Sequence, residues 1–173
     1  MSFEKLITSL LADGKNALIF ARSTSGKSKQ LRSFYCRSVF FHSWSALEGW
    51  INYVCDSFAD TDKSLSQFEI AFLRELGIQI SEDGIVTLTN HDAFVPTLKK
   101  LAFVLRRFGR GYDIKSNAPA VWRELLRAQR IRHSLAHPKR VREIEPTLAE
   151  AESCYEAVLK TTEIIKSTIF KAG

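Results

Sequence analysis

Apolar residues recur at helical spacing over most of the chain, and this pattern predicts an all-α fold. Phe3, Leu6, Ile7, Leu10 and Leu11 share one helical face, which Asp13-Gly14 should end. The short apolar run 16–20 reads as one strand, and the polar, Ser-rich stretch 23–29 as a loop. Residues 31–59 then carry Phe40, Trp44, Leu47, Ile51, Val54 and Phe58 in steps of four and three. Val39, Ala46, Trp50 and Tyr53 fall on a different face of the same segment. A helix apolar on two faces is either central to a bundle or packed against a second subunit.

Leu65, Phe68, Phe72 and Leu76 predict a third helix, ended by Gly77. The period then changes: Ile78 and Ile80, then Glu82-Asp83-Gly84, then Val86 and Leu88 alternate about an Asp-Gly turn, which is the pattern of a β-hairpin over 78–89. Phe94, Leu98, Leu101, Leu105 and Phe108 predict the next helix, with His91 and Asp92 at its N-terminus. Pro119 opens another helix at a permitted first-turn position. Leu148, Ala151, Tyr155, Val158, Thr162, Ile165 and Ile169 mark a last one over 146–170. The expected fold is therefore an all-α bundle of about five to six helices with one small inserted hairpin. Residues 1–30 read as an N-terminal helix and polar linker, and 31–173 as the bundle.

Composition narrows this picture without changing it. The chain is 45% hydrophobic and 25% charged, as in soluble globular proteins, and nothing in it suggests disorder. A domain of 173 residues buries about 70% of the surface its unfolded chain exposes. Cys36, Cys55 and Cys154 are far apart and form no C-x-x-C pair, which argues against a disulfide framework and a structural zinc site and for a reducing compartment. No charged-then-apolar leader pattern is visible, and no run approaches ~18 consecutive apolar residues. The expected setting is cytoplasmic, with no membrane partner.

Charge changes the picture more. The net charge is +6, and the stretch 122–142 accounts for it: Arg123, Arg127, Arg130, Arg132, Lys139, Arg140 and Arg142 stand against Glu124 alone. Such a block attracts polyanions, nucleic acid being the usual one; a solvated helix face is the alternative. Arg127, Arg130, Lys139, Arg140 and Arg142 are the candidate nucleic-acid contacts. On a helical wheel starting at Val121, the residues Leu125, Ala128 and Leu135 lie within roughly 40° of it, and Arg132 falls near ~20°, inside the apolar stripe. A guanidinium is always charged, so burying it unpaired is costly. Pro138 forces His137 out of the helical region, to the helix C-terminus. There the imidazole can swing toward the Arg132 face and trade protons near neutral pH. An arginine fork beside a histidine is what cleavage of RNA by its own 2′-OH requires, with no metal or other cofactor.

Arg132-His133-Ser134-Leu135-Ala136-His137 resembles the R-x4–6-H motif of the HEPN superfamily, including its variant with a polar residue directly after the arginine. The likeness extends over residues 31–170, with a long early helix bearing Ser45-Ala46-Leu47-Glu48 and the motif ending the penultimate helix. It implies a helical bundle, a homodimer and a metal-independent endoribonuclease, with Arg132 and His137 catalytic and His133 auxiliary. It further implies a toxin or phage-defence setting, with RNA as substrate and an antitoxin or regulatory protein as a further partner. Glu48 flanks the apolar stripe of the long helix and is expected to hold Arg132 in place; the alternative is a carboxylate with no role.

Other signals point elsewhere. Ala21-Arg22-Ser23-Thr24-Ser25-Gly26-Lys27-Ser28 fits a permissive phosphate-loop pattern, which needs a strand before it and a helix after it. His133 and His137 have i, i+4 metal-ligand spacing but no third ligand nearby, so no metal is expected. His42, among aromatics, reads as a packed core histidine. The alternatives to the ribonuclease are a non-catalytic HEPN-like module binding RNA or protein, and a nucleotide-binding protein using residues 21–28.

Overall fold

The computed structural model describes residues 3–24, 26, 28–138 and 145–170. Helix α2 (Lys29–Thr61) is the axis of the molecule. Ser28 caps it, its Oγ accepting the Leu31 N–H at 3.2 Å. Both of its apolar faces are buried, Phe40, Trp44, Leu47, Ile51 and Val54 on one and Val39, Ala46 and Trp50 on the other. They are covered by α1 (Phe3–Ser23), α3 (Gln67–Arg74), α4 (Thr97–Phe108), α6 (Pro119–Ala136) and α7 (Leu148–Ile165), all of which contact α2. The two-faced pattern thus marks the centre of the bundle.

Helix α1 corrects two expectations. It runs unbroken through Asp13-Gly14, and the run 16–20, expected as a strand, is helical. It lies antiparallel to α2, with Phe3 stacked on Tyr53, Gly14 against Ser43 and Phe20 stacked on Tyr35. A Cβ on Gly14 would come within 3.1 Å of Ser43 Oγ and 3.5 Å of the Tyr155 ring. This glycine is therefore required by the close approach of α1 to α2 and α7, and tertiary contact overrides its tendency to end a helix. Ile7, Ala17, Leu18 and Ala21 belong to the same core cluster as Leu47, Leu101, Leu125 and Val158.

Helix α3 opens with a capping box between Ser66 and Glu69 and ends at Glu75, a non-glycine residue at φ 54°. It buries Ala71 and Leu73 and leaves Phe68 exposed, so its inward face is shifted from the expected stripe. Strands β1 (Leu76–Ile80) and β2 (Val86–Asp92) pair antiparallel as expected, Ile78 opposite Leu88 and Ile80 opposite Val86. Gly84 turns the chain at φ 77°. The hairpin is longer than expected: His91 lies in β2, and Phe94 precedes α4, 87% exposed. A single helical turn, α5 (Ile114–Asn117), capped by Asp113, was not foreseen. Pro119 starts α6 and a Thr147–Glu150 capping box starts α7, which continues into a π-helical turn, Lys166–Phe170. The architecture is an all-α bundle with one two-stranded hairpin.

All three cysteines are buried and free, and burial pushes the Cys55 and Cys154 thiols up to about 12. No helix among the described residues is long and apolar enough to cross a membrane. Because Gly14 faces Ser43 and Tyr155 at close range, Gly14→Val should destabilise the fold by about 1–3 kcal/mol through overpacking. Chemical denaturation of the variant measures this, and an unchanged midpoint would contradict the packing role given to the glycine.

Candidate active site

Helix α6 buries Leu125, Ala128 and Leu135, and Arg132 falls on the same face, as the wheel requires. Its side chain is half-buried, and Nη2 lies 3.9 Å from Glu48 Oε2, a long ion pair rather than a hydrogen bond. Glu48 is itself held from two sides. Its Oε1 accepts the indole N–H of Trp44 at 2.8 Å, one turn earlier on α2, and the hydroxyl of Thr97 at 3.1 Å, in the first turn of α4. Oε2 is thereby turned to the arginine. The structure brings Glu48 and Arg132 together as expected; the contribution of Trp44 and Thr97 was missed.

His137 caps the C-terminus of α6 at φ −133°, ψ 64°, outside the helical region, as a following proline demands. Its backbone N–H still bonds the His133 carbonyl at 2.9 Å. The two imidazoles lie with centroids 5.1 Å apart, tilted by 54°, and both residues are exposed. The motif residues thus form two pairs, Arg132 with Glu48 and His133 with His137. Among the described residues no hydrogen bond or ion pair joins the guanidinium to the His137 ring.

The basic block is less uniform than its sequence. Arg127 donates to Glu150 Oε1 at 3.0 Å, tying α6 to the start of α7. Burial pushes the Glu150 carboxyl up, but hydrogen bonds from the Thr147 N–H, the Thr147 hydroxyl and Arg127 outweigh it and hold the group below its ordinary value. Arg127 is exposed and forms a surface ion pair with Glu150. Arg130 is exposed. Lys139, Arg140 and Arg142 lie outside the described residues.

The phosphate-loop pattern finds a different context. Residues 17–20 are helical, Thr24 Oγ1 donates to the carbonyls of Phe20 and Ala21 at 2.9 and 3.1 Å, and Ser28 caps α2. The segment is a turn between two helices, without the strand a phosphate cradle needs; Ser25 and Lys27 lie outside the described residues. His42 is half-buried on α2. Among the described residues no group of three or more His, Cys, Asp or Glu is placed to hold a metal ion.

One further cluster escaped the sequence altogether. Lys100, on α4, is 5% exposed, with Nζ 3.2 Å from Glu75 Oε1 and 3.1 Å from Asn52 Oδ1. The signal that could have found it is the one used for Arg132, a long cation close to the apolar stripe of its helix. Comparison with protein-family models, with characterised proteins and with solved structures gives no match.

Trp44 is 2% exposed, so its indole N–H depends on Glu48 for a partner. Glu48→Ala should cost about 1–3 kcal/mol by leaving that donor unsatisfied, whereas Glu48→Gln keeps an acceptor and should cost well under that. Equal denaturation midpoints for the two variants would contradict the pinned geometry.

Proposed function

We propose that the chain is a metal-independent endoribonuclease of the HEPN type, in which Arg132 and His137 act on one phosphodiester. The observation that carries this reading is a half-buried guanidinium steered by a pinned carboxylate, five residues before an exposed imidazole that the helix has released. A fixed planar cation suits the non-bridging phosphate oxygens as charge grows on them. His137 takes the proton from the ribose 2′-OH, and the oxygen attacks phosphorus. The bond to the 5′-oxygen breaks, and that oxygen leaves with a proton supplied by a histidine or by water. The products are a 2′,3′-cyclic phosphate and a 5′-hydroxyl. His133, in ring contact with His137, is the auxiliary group.

The guanidinium and the imidazole belong to separate contact pairs, which favours a site completed by a second protomer. Homodimerisation is further supported by exposed apolar side chains on α1 and the first turns of α2: Ile19, Phe20, Leu31, Phe34 and Phe41. A role as a toxin or defence effector, restrained by an antitoxin or regulatory protein, belongs to the same proposal and rests on the motif alone.

The separation of the pairs also favours a second reading, a module that binds RNA without cutting it. Incubation with RNA in EDTA decides between them. The enzyme should cleave, and His137→Ala, at an exposed helix end where the fold is not at stake, should slow cleavage by about 10²–10⁴-fold. RNA bound but never cut by the wild type would establish the binding module instead.

A further inference from the structure

Against Glu48 lies a cavity of about 160 Å³ whose walls include Asn52, Glu75, Phe94, Thr97 and Lys100. Sites enclosing a drug-sized ligand begin near ~300 Å³, so this one admits a single ring system rather than a whole nucleotide. Its polar groups are costly ones. Lys100 is a nearly fully buried cation, tolerated because Glu75 Oε1 stands 3.2 Å away as its ion-pair partner and Asn52 Oδ1 accepts one of its hydrogens. An ammonium has three donors, so one remains. Glu75 sits at φ 54° at the end of α3, where glycine is the usual residue. Its Oε1 accepts the Val95 N–H at 3.3 Å and is the ion-pair partner of Lys100. Its Oε2 carries no hydrogen bond among the described residues. Backbone strain at a residue that lines a cavity points to function: the left-handed conformation brings a carboxylate with a spare oxygen to the cavity wall. Phe94, 87% exposed at that wall, buries too little surface to serve the fold and offers a ring face instead.

We propose that this cavity is a guanine-binding subsite. Among the four bases only guanine presents two adjacent donors, N1–H and N2–H, beside an acceptor, O6. The spare Glu75 Oε2 accepts from N1–H and N2–H, a free Lys100 N–H or the Asn52 amide serves O6, and Phe94 stacks on the ring. Glu48 is a wall of the cavity and the ion-pair partner of Arg132, so a base seated here presents its neighbouring phosphate to the arginine. The RNA source of the guanine rests on the ribonuclease reading; the recognition chemistry does not.

The test is binding of GMP, AMP, CMP and UMP to the full chain by calorimetry, alongside cleavage of RNA oligomers that contain a single guanine. GMP should bind at least tenfold more tightly than the other three, and Glu75→Gln should remove most of that preference. Phe94→Ala, which leaves the buried polar groups untouched, should weaken all four by roughly tenfold. Equal affinities, no binding at millimolar nucleotide, or a preference that survives Glu75→Gln would overturn the subsite. GMP preference in a protein that cuts no RNA would refute the ribonuclease and leave the subsite standing. GMP preference with cleavage blind to guanine would assign the site to a free nucleotide and overturn its place beside Arg132.

Discussion

A guanidinium placed among the apolar positions of a helix must find an anion, and in this chain the way it does so organises the rest of the site. Arg132 cannot shed its charge, and its nearest carboxylate, Glu48, is not free to follow it, because Trp44 and Thr97 hold the other oxygen. Three helices are fixed by this one chain of contacts: Trp44 and Glu48 lie on α2, Thr97 on α4 and Arg132 on α6. The ion pair is long and partly solvated, so it adds little to stability. Its consequence is directional, for it aims the arginine fork while leaving it donors for a second anion.

The parts of the fold legible in the sequence are those where local preference and tertiary packing agree. The central position of α2 follows from its two apolar faces, the hairpin from alternation about Asp83-Gly84, and the end of α6 at His137 from the ring of Pro138. The parts that were not legible are those where packing overrides a local signal. Gly14 reads as a stop but is a contact surface for Ser43 and Tyr155. Phe94 reads as the first position of a helical stripe but stands in solvent. Helix α5, a single turn, is too short to show a period.

The candidate site divides along the same line. Arg132, His137 and Glu48 could be picked out because each breaks a rule of its own helix, by charge, by the following proline or by flanking an apolar stripe. Lys100 carries a signal of its own beside the apolar stripe of α4, but Asn52 and Glu75 join it only in the folded chain, from α2 and the end of α3. Arg127 shares its charge with Glu150 across the surface, a pairing that its place in a basic block does not announce. Charge counts describe what a segment attracts at a distance, whereas ion pairs decide which of its residues remain to do so.

The central claim, that Arg132 and His137 drive attack by a ribose 2′-OH, is tested most directly by the chemistry of the product ends. Mass analysis of RNA fragments made in EDTA should show 2′,3′-cyclic phosphates and 5′-hydroxyls, with no cut at a position carrying a 2′-deoxyribose. Fragments ending in 3′-hydroxyls and 5′-phosphates, or cutting that continues at the deoxy position, would contradict it.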